Sequence, residues 1–520
     1  MTTTEAQRDA DIIVVGAGHN GLICAAYLAR AGRDVLLLDA RPDVGGCAST
    51  VSDLGARFNI CNCDHTMVRA MPIADELDLA SFGLEYVAPE VTNVNRFYDG
   101  SDPWLLFHDV DAHLEALAQT HPHAVDGYRR YLADAVPVAE LALDVARTKP
   151  SMRAMASTVL RRRAAGATRL LRWARASQAD VLGQYFDDWH MIMPAVTGGP
   201  SVWGVPHTAP GTGTAAALYA TRHVVKTGRP TGGSGALPDA VRRSFEAAGG
   251  QTRVGARVER LLVKDGRAFG VVLDDSTTLR APTIVAAVDP QRVFVDWLDG
   301  VPPAARRAVE LWRSQPVADG YESKVDGVVT GTPRWADTDG FVDAANGADL
   351  LAPTNFLNPS PDEVAEAHRL RERGEVHARP SMMVNLPSVL DESMRPTPDE
   401  HVLSVEVLFT PYDHPGGWPA SGEPARWLDV LDGFMEPGTL QVDRWRAMTP
   451  DRYEAEFQMH RGHTPAYGEA PLVAFLGRRK ELTRYRTPID GLFLSGAGTF
   501  PGAGVFGASG RNAADAVLHP

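Results

Sequence analysis

The chain has 520 residues, 44% of them hydrophobic and 22% charged, enough to bury a large core shared between two or three lobes. Its formal net charge of −14 argues against non-specific nucleic-acid binding, and it carries no nucleic-acid motif. Four cysteines (Cys24, Cys47, Cys61 and Cys63) do not make a disulfide framework in so long a chain, and no secretory signal precedes the first predicted strand, so a reducing cytoplasm is expected.

The most informative stretch comes first. The apolar run Ile12–Val15 reads as a buried parallel strand and leads into Gly16-x-Gly18-x-x-Gly21. A helix is expected over Leu22–Arg30, and a second strand, Val35–Leu38, ends in Asp39. Strand, glycines, helix, strand and acid together form the βαβ dinucleotide fingerprint. Gly16 permits the tight turn, Gly18 lets the backbone approach a pyrophosphate, and Gly21 lets the helix pack on the strand. The helix N-terminus offers N–H groups to phosphate, and Asp39 can accept from a ribose diol. The fingerprint by itself does not separate FAD from NAD. Its continuation through Arg41 into the glycine pair Gly45-Gly46 resembles the extended N-terminal motif of two-domain FAD flavoproteins.

Farther along, Phe58 to His65 is expected to run from the cofactor lobe toward the flavin, with Cys61 and Cys63 on one side of a strand as ordinary buried thiols. His65 could exchange a proton there; the competing reading is a hydrogen-bonded structural histidine. Residues 121–190 read as mostly helical. Between Asp144 and Asp180 there is no acid, while Arg147, Lys149, Arg153, Arg161, Arg162, Arg163, Arg169, Arg172 and Arg175 accumulate among apolar residues. This reads as a basic amphipathic helix, either a solvated face or a contact with a membrane surface, a partner or an anionic substrate. Proline and glycine break the uncharged 189–221 stretch too often for a membrane span.

Gly232-Gly233-Ser234-Gly235 opens a helix to about Ala248, followed by strands near 251–254, 257–263, 268–273 and 283–288. Strands are also expected at 380–387 and 401–409. Glu406, within the latter, could point into a substrate cavity or lie on the solvent face of an edge strand. His460 and His463 lack the spacing and third ligand a metal would need, and no metal set is expected. At the chain end a strand at 491–495 runs into Gly496-Ala-Gly498 and Gly504-Val505, then a final helix whose N-terminus could stabilise charge on a reduced flavin.

With these motifs the chain resembles the phytoene-desaturase-related (carotenoid-desaturase-like) branch of the amine-oxidase-type FAD-dependent oxidoreductases. The resemblance spans nearly the whole length and rests on the N-terminal fingerprint with Gly45-Gly46, GGSGALPDA at 232–240, and GLFLSGAGTFPGAGVFGASGRNAA at 491–514. It implies an α/β protein with a discontinuous Rossmann-type, GR2-like FAD-binding domain (9–70, 230–295 and 484–520). A mixed-sheet substrate domain (71–120 and 296–483) and a mostly helical subdomain (121–229) complete it. Cofactor contacts are expected from Gly16, Gly18, His19, Asn20, Gly21, Asp39, Ala40, Arg41, Gly45, Gly46, Ala48 and Ser49, from Val258 at the adenine, and from Gly496, Gly498, Gly504 and Val505. Two departures stand out: Cys47 occupies a position that is often arginine, and no aspartate follows Gly496.

The expected activity is hydride abstraction from a small, largely apolar organic substrate to form a C=C or C=N bond, with non-covalent FAD and oxygen or a quinone as acceptor. Candidate catalytic residues are His65 and Glu406. A flavin-dependent isomerase and a flavin-stabilised interaction protein are the alternatives, since fold does not fix chemistry. The expected location is cytoplasmic, with possible peripheral membrane contact through 147–175; the arginine- and alanine-rich composition suggests a bacterial source.

Overall fold

Ile12–Val15 pairs in parallel with Val35–Leu38 on one side and Thr283–Ala286 on the other. Leu492–Leu494 and Gln251–Arg253 extend the sheet to five parallel strands. The first strand is apolar at every position because both faces are covered. Ile12 and Val14 enter a core with the helices His19–Arg30, Ala236–Ala247 and Ala508–Leu518. Ile13 and Val15 enter the opposite core with Val271, Phe294 and Trp297. In this computed structural model the described residues are 8–61, 63–148, 150–317, 319–337, 342–463 and 479–519; Lys149, one of the expected basic residues, lies outside them.

The second lobe is built on a seven-stranded mixed sheet, in the order Val442–Met448, Glu322–Thr330, Glu400–Leu408, Met382–Asn385, Thr354–Asn358, Val91–Phe97 and Trp104–Phe107. Among the described residues, the fifth and sixth strands of that order pair in parallel and the other neighbours pair antiparallel. Helices from Val110 to Val224 pack around buried Tyr128, Tyr131, Trp173 and Tyr219.

Some local expectations change. The strand after Thr283 stops at Ala286, two residues short, because Ala287 and Val288 turn into the cavity wall. The expected basic amphipathic helix is two helices, Met152–Arg161 and Ala167–Trp173. Arg163, Ala164 and Gly166 between them have positive φ, and a Cβ on Gly166 would lie 2.5 Å from the Pro137 carbonyl. Part of the positive charge is neutralised: Arg162 pairs with Glu140 and Asp144, Arg147 with Asp144, and Arg169 with Asp134. Leu160 and Leu171 remain exposed at 76% and 49%. Among the described residues no helix is long and apolar enough to cross a membrane.

Candidate functional site

The fingerprint glycines answer different steric demands. A Cβ on Gly16, at φ +99°, would meet the Ala287 carbonyl at 2.7 Å, and one on Gly21 would lie 1.8 Å from the Gly16 carbonyl. A Cβ on Gly18 would meet nothing within 4 Å. Gly18 thus faces open space at the start of the His19–Arg30 helix, where the first N–H groups lack helical partners. Asp39 braces the turn by accepting from the N–H groups of Ala17 (2.6 Å) and Arg41 (2.8 Å). Burial raises its pKa, opposed by those two N–H groups and by Arg41.

These residues open into a cavity of about 600 Å³, a size typical of small-molecule and cofactor sites. Gly16, Gly18, His19, Asn20, Gly21, Asp39, Ala40, Arg41, Gly46 and Ala48 line it, as do Val258, Gly496, Gly504 and Val505. Gly45, Ser49 and Gly498 do not. Gly45, at φ +107°, donates its N–H to the Ala17 carbonyl. Ser49 is buried, donating to the Gly46 carbonyl and accepting from Arg41 Nη1, so both support the turn from behind. Gly498 lies in the turn that Thr499 closes onto the Gly496 carbonyl. The C-terminal helix docks closely because Gly510 lies against Asn20, where a Cβ would sit 2.1 Å from the Asn20 carbonyl.

The wall suits a dinucleotide on its own chemistry. Gly18 leaves open space at a helix N-terminus, an acid follows the second strand, and the buried Asn20 Oδ1 has no protein partner.

His65 sits elsewhere than expected. It is fully buried and absent from the cavity wall, with Nδ1 3.0 Å from Tyr86 Oη and Nε2 2.8 Å from Ser234 Oγ. Burial lowers its pKa to about 3. Both ring nitrogens are engaged, which makes it a structural histidine rather than a proton carrier for the cavity.

Glu406 does reach the cavity, and its strand is central, not an edge, lying between Glu322–Thr330 and Met382–Asn385. Register places Lys324 opposite Glu406 and Glu322 opposite Leu408, so the two glutamates are diagonal neighbours on one face. They hydrogen-bond to each other. Burial, then the charge of Glu406, pushes Glu322 well above the carboxylate range; burial also raises Glu406. Such a pair holds one proton between two carboxyls. Lys324 is occupied by Asp326 (2.6 Å) and the Asn59 carbonyl.

The thiols also differ from expectation. The strand before Cys61 ends at Asn59, so Cys61 and Cys63 do not share a strand face. Cys61 instead hydrogen-bonds Cys47, and both line the cavity. That bond, aided by the Arg41 charge, lowers the Cys47 pKa, and its Sγ lies 3.3 Å from Met459 Sδ.

Glu322, Tyr321, Asn93 and Arg222 line the cavity without having been singled out from sequence. The alternation Glu322-Ser-Lys324-Val-Asp326 could have been read as a strand, but alternate charges there suggest a solvent face. In the fold that face is covered by the Thr50–Asn59 hairpin, whose Asn59 accepts from Lys324.

A parallel sheet whose fingerprint opens into a cavity shared with a second, mixed-sheet lobe defines the two-lobed class of FAD-binding oxidoreductases. The chain belongs to the flavin containing amine oxidoreductase family, whose pattern matches residues 21–321. It is 27% identical to mouse pyridine nucleotide-disulfide oxidoreductase domain-containing protein 2, over 98% of this chain and 93% of the relative. It is likewise 27% identical to a lycopene-forming phytoene desaturase of Pantoea ananas, over 97% and 98% of the two chains. A putrescine oxidase with bound putrescine shares the fold, with a TM-score of 0.62 at 18% identity over 98% of this chain and 99% of that one. The protein is therefore an FAD-dependent oxidoreductase of the carotenoid-desaturase-like branch, a dehydrogenase or oxidase.

Proposed function

We propose that this enzyme oxidises a small organic substrate with a largely apolar body, abstracting hydride from a C–H bond while the Glu322–Glu406 pair receives the neighbouring proton. The observation that carries this reading is the continuity of one cavity from the glycine fingerprint to that carboxyl pair. FAD, when bound, supplies the hydride acceptor. The chain's part is to bind, orient and exclude water. Gly18 and the helix behind it would take the pyrophosphate, Asp39 a ribose, Val258 the adenine side, and Gly504 and Val505 the isoalloxazine end. Val202, Leu218, Phe356 and Met383 supply an apolar wall for the substrate. Glu406, on a central strand, is held so that its carboxylate can accept a proton, with Glu322 donating a hydrogen bond to it.

Oxygen or a quinone is the acceptor in this reading, and FAD is held non-covalently. Leu160 and Leu171, with Arg153, Arg163, Arg172 and Arg175 exposed around them, would let a cytoplasmic enzyme rest on an anionic membrane surface. The absorbance spectrum of the purified protein tests the central claim. Visible flavin bands that bleach with dithionite and return in air support it; a colourless protein that FAD cannot reconstitute overturns it. Rapid return indicates oxygen, and slow return directs the search to quinones. Acid precipitation should release the colour into the supernatant.

A further inference from the structure

One wall of the cavity carries a cation that no neighbouring carboxylate neutralises. Asp64, Thr66, Asn93, Arg222, Thr354 and Asn385 all line it. Asn93 and Thr354 are register partners on adjacent parallel strands. Asp64 is committed to Arg229, its Oδ1 2.7 Å from Arg229 Nε, and it also accepts from Thr354 Oγ1 at 2.5 Å. Arg229 is completed by the Ala352 carbonyl and Asn385 Oδ1. Two guanidinium groups therefore flank one carboxylate.

Arg222 is the second guanidinium. Its Nη1 donates to Thr66 Oγ1 and, at 2.6 Å, to Thr227 Oγ1. Among the described residues no carboxylate lies within ion-pair distance of it. Burial lowers its pKa, and the Asp64 charge only partly opposes that. Asn93, 3% exposed, lines the same cavity, and its buried Nδ2 has no protein partner. A half-buried cation whose only side-chain acceptors in the described structure are two neutral hydroxyls, and a buried amide N–H with no acceptor, are both stabilised by a ligand that supplies one. Both are donors, so the missing group is an anionic oxygen acceptor, and a planar guanidinium suits a carboxylate.

We propose that Arg222 and Asn93 form a subsite for the carboxylate of the substrate, so that the enzyme acts on an organic acid whose apolar body lies along Leu218, Phe356 and Met383. This rests on the oxidoreductase reading above and adds the substrate class to it. The subsite also divides the cavity electrostatically, with a cationic wall at Arg222 and an acidic one at Glu322–Glu406.

Calorimetric titration of the purified holoenzyme with benzoate and with its neutral isostere benzamide tests the assignment. Benzoate should bind at least about tenfold more tightly, as expected for a charge-assisted pair in a buried site. Arg222→Gln should reduce that preference to about twofold or less, and Asn93→Ala should weaken benzoate more than benzamide. Equal affinity of the wild-type protein for the two, or binding of neither, overturns the proposal, as does an Arg222→Gln protein that keeps the preference. Loss of flavin from a folded Arg222→Gln protein would assign Arg222 to the cofactor and likewise overturn it. Should Arg222→Gln fail to fold, the wild-type ratio and Asn93→Ala still decide. Calorimetry needs no flavin signal, so a colourless protein fails the oxidoreductase reading independently of the benzoate result.

Discussion

Glu322 and Glu406 hydrogen-bond to each other from adjacent antiparallel strands, with Lys324 directly opposite Glu406 in the register. The Lys324 charge only partly offsets the pair, because burial outweighs it and Asp326 and the Asn59 carbonyl hold its ammonium. Two like charges cannot both form there at low cost, so the pair keeps a proton above the ordinary carboxylate range.

That proton has a consequence for stability. Folding raises the pKa of Glu322 above its unfolded value of 4.5, so over that window the native state binds more protons than the unfolded chain. Stability contributed by the protonated pair is therefore present near pH 4.5 and is lost as pH rises toward and through the folded value. Glu322→Gln keeps the hydrogen-bond donor and removes the titration, so its melting temperature should decline less between pH 5 and pH 9 than the wild type's. Parallel melting curves would contradict the shared proton. With a substrate in hand, Glu406→Gln should lower kcat by about 10²–10⁴-fold, in the range for a lost general base.

Asp39 is expected to support both fold and cofactor. Its carboxylate satisfies two N–H groups of the turn, and leaving each unpaired costs about 1–3 kcal/mol. Asp39→Ala should lower the melting temperature of the flavin-free protein as well as its flavin content. An unchanged melting temperature in the apoprotein would limit Asp39 to ligand binding.

Gly18 and Gly21 separate the same two roles. Gly21→Ala drives a Cβ into the Gly16 carbonyl and should abolish soluble expression or cost several kcal/mol, as steric overpacking does. Gly18→Ala meets no protein atom within 4 Å, so the apoprotein should melt within about 1 kcal/mol of the wild type. Its FAD affinity should nevertheless fall, because the methyl occupies the approach to the phosphates. Thermal melts of the apoproteins and FAD titrations distinguish the two outcomes.

The exposed Leu160 and Leu171 provide a separate test. Wild-type protein should co-sediment with vesicles containing anionic lipid at low ionic strength and release as salt rises, since the Debye length shortens from about 30 Å at 0.01 M to about 8 Å at 0.15 M. Leu160→Asp with Leu171→Asp should abolish binding without changing flavin content. Equal sedimentation of the variant would remove this surface from consideration.

The flavin in the purified protein should be free to leave. Unfolding in acid or denaturant should return all of it to solution, and any that remains bound to the pellet would demonstrate a covalent link.

The sequence by itself determined the nucleotide half. Ile12–Val15, the three glycines and Asp39 are local: their periodicity, spacing and steric requirements act over a few tens of residues and impose one geometry. The same locality made the Glu400–Leu408 strand recognisable, although not its central place in the sheet. Only the tertiary structure decided what each charged residue faces. His65 turned away to Tyr86 and Ser234, while Glu322, in a strand whose alternating charges suggest solvent, was buried beside Glu406. Arg222 and Asn93, far apart in sequence, came to line one wall because the Val91–Phe97 strand pairs with Thr354–Asn358 beside Asp64. Such placements depend on sheet order and on which face another segment covers, and those long-range pairings leave no local periodicity to read.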